Sequence, residues 1–219
     1  MDRRFFTRWH PSAVLLAAQL AGVLIYPYLD EASGRAALSL LGLIVLVLAV
    51  RAVQATPALT WISILIGIPL VVLTIAEAAS PLDPGVQLWS AVVHAVFYFY
   101  TSYALIRYMF ADPVVTVDEL YATGATFTVV AWAFAYAYMA IQVIWPQSFA
   151  SATGTQPHTW FELLYLSFSN LTSVGLSDIT PVLPHARSIV MLEQIAGLLY
   201  VALVISRVVG LTISRQRES

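Results

Sequence analysis

The 219-residue chain contains no cysteine and no lysine, and charged residues make up only 10% of it. The absence of cysteine excludes disulfides, thiolate metal sites and a cysteine nucleophile. Arginines and acids leave a formal net charge of -2, so there is no basic surface to indicate nucleic acid as a partner. The four histidines lack metal-ligand spacing, and no serine lies in a G-x-S-x-G context. The sequence therefore predicts neither an enzyme nor a bound cofactor.

Apolar residues dominate the chain instead. Hydrophobic residues make up 60% of it, whereas a soluble domain has roughly 45–50% apolar and about 25% charged residues. A helix needs about 20 apolar residues to cross a bilayer. That length predicts an all-α integral membrane protein with six transmembrane helices, at 12–29, 36–55, 58–79, 86–110, 117–145 and 185–211.

The arginines of the short loops predict the orientation. Most lie in the N-terminus, the second and fourth loops and the C-terminus, whereas the first and third loops together hold only Arg35, and Arg187 is a further exception. By the positive-inside rule, both termini are cytoplasmic in a multi-pass protein of the cell membrane. The loop at 146–184 is then on the outer side. The fourth span carries only Arg107, so it is not expected to be a strong voltage sensor.

One polar stretch interrupts the apolar pattern, at 171–181 with the sequence LTSVGLSDITP. Before it, Thr159-Trp-Phe-Glu162 has the spacing of a capping box and marks the start of a short helix. Glu162 is thus a helix cap, with a direct ionic role as the alternative. After it comes the last apolar run. A helix, a tight polar strand and a second helix follow in the order of a re-entrant pore loop.

Residues 161–175, FELLYLSFSNLTSVG, followed by LSDITP at 176–181, resemble the pore helix and selectivity filter of the potassium-channel superfamily. The resemblance covers about 158–211. The signature of that family is T-V-G-Y-G-D, which Val174, Gly175 and Asp178 match and in which Ser173 replaces threonine. Leu176 and Ser177 depart from its tyrosine and second glycine.

The resemblance implies two regions. Residues 1–115 form a four-helix region that is sensor-like in position but not arginine-rich. Residues 116–219 form a pore domain with an outer helix at 117–145, a pore helix at 159–171, a filter at 172–178 and an inner helix at 185–211. The residues implied to bind ions are Thr172, Ser173, Val174, Gly175, Leu176 and Ser177.

In such a filter, backbone carbonyls replace the water around a monovalent cation, K⁺ or Na⁺. The chain has only one filter segment, and several copies of one backbone are needed to surround an ion. A homotetramer is therefore expected, with membrane lipids and monovalent cations as its other partners.

The two departures from the signature predict a changed outer half of the filter. Gly175 suits a positive φ, but Ser177 at positive φ would cost about 1–2 kcal/mol, so either the outer carbonyls are rearranged or its hydroxyl faces the ion. Leu176 lacks a phenol, and Tyr165 of the pore helix is expected to meet it only through apolar contact. We predict an inner filter made from the Ser173 hydroxyl and the carbonyls of Ser173, Val174 and Gly175, with reduced selectivity for potassium over sodium.

Three further residues, Asp178, Glu193 and Gly197, have two interpretations each. Asp178 braces the filter or attracts cations to the outer mouth, and Ser169 occupies the place of an acidic partner found in some relatives. Glu193 bonds to the back of the pore helix or makes a structural contact with Gln194 or another helix. Gly197 is a gating hinge or a site of close helix packing.

The preferred function is a tetrameric monovalent cation channel that conducts potassium. One alternative is a non-conducting, channel-like regulatory subunit. The other is a proton-coupled secondary transporter that uses Glu193, His94 or Glu77, although His94 and Glu77 are also explained as single polar groups bonded between helices. The alternating alanines and aromatics at 131–140 are assigned to packing alone.

Overall fold

The computed structural model describes residues 10–28, 44–45, 47–48, 60–80, 83–110, 117–152, 154 and 157–218. Its elements in chain order are α1 (Pro11–Ile25) with a 3-10 turn (Tyr26–Tyr28), α2 (Thr60–Ala79), α3 (Pro84–Met109), α4 (Val117–Ile144), β1 (Phe149–Ser151), α5 (Trp160–Leu171), β2 (Ile179–Pro181) and α6 (Pro184–Glu218).

Four helical stretches of the described chain are long and apolar enough to cross a membrane: Pro11–Tyr28, Pro84–Met109, Val117–Ile144 and Pro184–Arg207. A shorter apolar helix covers Leu65–Glu77 within α2. These helices fit a multi-pass helical membrane protein. The predicted second span, 36–55, lies outside the described residues apart from four helical positions at 44–48, so the count of six stays a prediction.

Helix α4 is the centre of the packing and contacts α1, α3, α5 and α6. Small residues on it, Ala125, Ala131, Ala133 and Ala135, are fully buried. Because a methyl group occupies little space, backbones of neighbouring helices can approach closely there. The interpretation of Ala131, Ala133 and Ala135 as packing positions is confirmed.

Two helix starts have local signals in the sequence. Asp83 caps α3, accepting hydrogen bonds from Gly85 N at 2.8 Å and Val86 N at 3.2 Å, with Pro84 in the first turn. The capping box of α5 is complete, since Glu162 N donates to Thr159 Oγ1 at 3.3 Å and Thr159 N donates to Glu162 Oε2 at 2.6 Å. The cap role of Glu162 is thus confirmed.

Two features differ from the prediction. A two-stranded antiparallel ladder, with Ala150 opposite Thr180, joins the segment before α5 to the last three residues of the polar stretch. Each strand has only three residues, too few for an alternating pattern to be visible in the sequence. In addition, α6 runs from Pro184 to Glu218, seven residues beyond the predicted end at 211.

Candidate functional site

The backbone of the polar stretch folds back onto the end of α5. Val174 N and Gly175 N both donate to Ser169 O, each at 3.1 Å. Just before them, Ser173 N donates to Asn170 O at 2.9 Å. Successive N–H groups that converge on one oxygen form a nest. Here the Ser169 carbonyl of α5 fills the nest, so α5 holds the loop through the loop's own N–H groups.

This nest depends on two residues in the left-handed region. Gly175 has φ 70° and Ser173 has φ 59°. The prediction of a positive φ at Gly175 is confirmed. Ser177 is not in the left-handed region; the serine that adopts this conformation is Ser173, at a cost of about 1–2 kcal/mol. Nothing in the residue type of Ser173 signals this conformation.

The direction of the carbonyls follows from the direction of the N–H groups. In a trans peptide, the C=O of one residue and the N–H of the next point in opposite directions. The N–H groups of residues 173, 174 and 175 point toward α5, so the carbonyls of Thr172, Ser173 and Val174 point away from it. That side of the loop is open in the single chain, where all three residues are exposed.

The outer half of the loop is arranged differently. Tyr165 OH donates to Leu176 O at 2.9 Å. The expectation that Tyr165 meets Leu176 only by apolar contact is therefore wrong, since the contact is a hydrogen bond to the backbone. Ser177 Oγ accepts a bond from Ile179 N at 3.1 Å and so stabilises the turn into β2. At the other end of the stretch, directly after α5, Thr172 Oγ1 donates to Phe168 O at 2.7 Å.

Asp178 and Ser169 are not brought together within one chain. The Asp178 side chain is exposed, and within the described part of the chain it makes no hydrogen bond or ion pair. Ser169 acts through its backbone carbonyl, while its buried hydroxyl has no partner among the described residues. The exposed carboxylate agrees with the interpretation that Asp178 attracts cations, and bracing of the filter by Asp178 stays a prediction.

Glu193 lies on α6 and is fully buried. Ser167 Oγ of α5 donates to Glu193 Oε1, and Tyr138 OH of α4 donates to Glu193 Oε2. Ser167 Oγ also lies 2.9 Å from Ala131 O. Glu193 thus bonds both to α5, as one interpretation has it, and to the neighbouring helix α4, as the other has it.

The two partners of Glu193 were not predicted. Tyr138 was assigned to packing alone, which is wrong because its hydroxyl holds the buried carboxyl. A buried acid requires donors from its neighbours. With eleven tyrosines in the chain, however, no sequence spacing singles out this one.

Gly197 is a point of backbone contact between α6 and α5. A Cβ atom at this position would lie 2.0 Å from Leu171 O, a distance that no real structure tolerates. Helix α6 also continues without a break through Gly197. The geometry favours close packing as the reason for this glycine.

Glu77 and His94 are connected through one serine. Ser90 Oγ donates to Glu77 Oε2 at 2.5 Å, and His94 Nδ1 lies 2.8 Å from Ser90 O. The His94 ring stacks on Tyr136 of α4, with ring centroids 4.4 Å apart. The two residues thus form one small network at the interface of α2, α3 and α4.

The pore-like order of elements agrees with a comparison with known protein families. Residues 124–213 match a family model described as "Ion channel". No curated protein and no solved structure matches the chain. The matched residues contain most of α4, all of α5, the loop that follows it and most of α6. This match supports an ion-channel pore domain in the C-terminal part of the chain.

Proposed function

We propose that the chain is one subunit of a homotetrameric channel for monovalent cations, which conducts potassium with reduced selectivity over sodium. The observation that supports it best is the backbone of the loop after α5. Three consecutive carbonyls, those of Thr172, Ser173 and Val174, point away from the helix that holds them. Carbonyl oxygens in consecutive layers are what replaces the hydration shell of a cation.

The assembly follows from the number of ligands. One loop supplies one oxygen per layer, whereas a dehydrated cation needs a ring of them. Four copies around one axis provide such rings. The single chain leaves apolar surface open for these contacts, with Val174 59% and Leu176 73% exposed. On α6 the exposed apolar residues include Met191, Leu192, Ile195, Leu198 and Leu199.

Two electrostatic features favour cations along this path. The C-terminal end of α5 carries partial negative charge, which four copies would direct toward the region below the filter. The exposed carboxylate of Asp178 lies just beyond the loop and raises the local concentration of cations. With both termini cytoplasmic in a cell membrane, as the arginines predict, this loop faces outward.

The test is a recording of purified protein in planar bilayers. We expect unitary current steps in potassium and smaller but measurable currents in sodium, with a bi-ionic reversal potential that gives a modest preference for potassium. Folded protein without unitary steps would contradict the proposal. Saturable flux that depends on protons would instead support a transporter, and the absence of any flux would support a non-conducting subunit.

A matched pair of glycines provides the control. Gly175 and Gly154 both have positive φ, 70° and 68°, and an added Cβ meets no atom within 4 Å at either position. Alanine therefore introduces the same backbone strain at both. We expect Gly175→Ala to abolish or greatly reduce the currents, and Gly154→Ala to leave unitary conductance unchanged. Equal effects on conductance would mean that the loop has no special role.

A further inference from the structure

We infer that Tyr165 is a selectivity-determining residue, because its hydroxyl withdraws the Leu176 carbonyl from the conduction path. This inference rests on the proposed channel function and concerns the same loop. It assigns the weakness of the outer filter to one hydrogen bond made by a pore-helix side chain. The departures of Leu176 and Ser177 from the family signature do not by themselves produce this bond.

The evidence is the opposite orientation of two carbonyls in one short loop. The Val174 carbonyl points away from α5, because the Gly175 N–H in the same peptide points toward Ser169 O. The Leu176 carbonyl accepts a bond from Tyr165 OH at 2.9 Å, and Tyr165 is itself a residue of α5. The chain thus reverses its carbonyl direction between Val174 and Leu176.

The donor is well placed to hold this arrangement. Tyr165 lies in the second turn of a twelve-residue helix whose first turn is fixed by a complete capping box. A phenol hydroxyl has one proton to donate, and a tyrosine side chain has few rotatable bonds, so the bond costs little conformational entropy. The side chain of Leu176 is largely exposed and does not compete for the same position.

The consequence for a permeating ion is that fewer layers of backbone carbonyl oxygens are available to replace its water. The carbonyls of residues 172–174 point to the open side of the loop, whereas the Leu176 carbonyl, two residues beyond Val174, is bonded within its own subunit. A cation at that level keeps more of its water. Because discrimination between potassium and sodium depends on the number of carbonyl ligands that replace water, the channel loses selectivity there.

Tyr165→Phe in the 219-residue chain tests this directly, since it removes the hydroxyl and keeps the ring. We expect the ratio of potassium to sodium permeability, from bi-ionic reversal potentials, to rise by about two- to tenfold, the equilibrium factor that corresponds to one hydrogen bond. Tyr165→Leu removes the same donor in a different shape and is expected to shift the ratio in the same direction. Tyr103→Phe, an exposed tyrosine on α3, is the control and leaves the ratio unchanged.

The outcomes separate the two claims. If the native chain shows no unitary currents, the proposed function is wrong. If it conducts and both variants at position 165 conduct with an unchanged or lower permeability ratio, the inference is wrong while the channel function stands. An equal rise of the permeability ratio in Tyr103→Phe would also overturn the inference, because the rise would then not depend on the bond to Leu176.

Discussion

The contact at Gly197 makes a prediction that distinguishes packing from flexibility. The Cβ of Gly197→Ala would lie 2.0 Å from the Leu171 carbonyl oxygen, so α6 and α5 would have to separate. We expect a loss of about 1–3 kcal/mol in the free energy of unfolding, measured as a lower midpoint of thermal unfolding in detergent. Gly67→Ala in α2 is the control, since its Cβ meets nothing within 4 Å, and it should stabilise the protein by about 0.5–1 kcal/mol. A native-like midpoint for Gly197→Ala combined with altered gating would favour the hinge instead.

The buried carboxyl of Glu193 leads to a second prediction. Ser167 has one hydroxyl proton but two neighbouring acceptors, Glu193 Oε1 and Ala131 O. Glutamine at position 193 can donate to Ser167 through its amide and still accept from Tyr138. We expect the free energy of unfolding of Glu193→Gln to lie within about 1 kcal/mol of the native value. We expect Glu193→Leu to lower it by about 1–3 kcal/mol, because the Tyr138 hydroxyl is left buried without a partner. Equal unfolding midpoints for the two variants in detergent would show that these bonds contribute nothing.

Helices are held to one another by two adjacent acids in the first turn of α4. Asp118 accepts hydrogen bonds from Ser12 N at 3.3 Å and Ser12 Oγ at 2.9 Å at the start of α1. Glu119 forms a salt bridge with Arg207 of α6, with 3.0 Å between Oε2 and the guanidinium nitrogen. The Arg207 guanidinium also lies over the Phe110 ring, 5.0 Å from its centroid. Helices α1 and α6 therefore both contact α4 at its N-terminal end.

The salt bridge between α4 and α6 can be tested by a double-mutant cycle. Both side chains are largely buried, and removal of one partner leaves a charge in a site of low polarity. We expect Glu119→Gln and Arg207→Gln each to lower the free energy of unfolding by about 3 kcal/mol, the lower end of the range for buried pairs. The double substitution should cost less than the sum of the two. Arg187→Gln, at an exposed arginine whose side chain bonds, among the residues that the structure describes, to Pro181 O alone, should change the unfolding midpoint little. Additive costs at positions 119 and 207 would show that the two charges do not interact.

The sequence predicts those elements whose cause is local. The start of α5 follows from the Thr159 and Glu162 spacing, and the start of α3 follows from Pro84 after Asp83. The positive φ of Gly175 was likewise predictable from the residue type. These features depend on residues within one turn of each other, so their signal is present in a short window.

Contacts that depend on packing were not predictable. The salt bridge of Glu119 with Arg207 joins residues 88 positions apart. The bond from Tyr165 ends on a backbone oxygen, which carries no residue-type signal at all. The positive φ of Ser173 is imposed by the nest around Ser169 O. The central part of the candidate site is therefore recognisable from sequence, whereas the direction of its outer carbonyl is not.

The proposed tetramer can be tested by cross-linking through an introduced cysteine, because the chain has none of its own. One introduced cysteine is the only thiol in the chain, so a bis-maleimide can join only equivalent positions of two copies. In the proposed tetramer Val174 lies beside the axis, whereas Trp89, 63% exposed on α3, belongs to the region outside the pore unit. We expect Val174→Cys to give a covalent dimer in membranes and Trp89→Cys to stay monomeric, because only groups near the axis come within reach of each other.

Native mass spectrometry should give about four times the 24.0 kDa mass of one chain. A mass of one or two chains, or equal cross-linking at both positions, would contradict a ring of four identical loops.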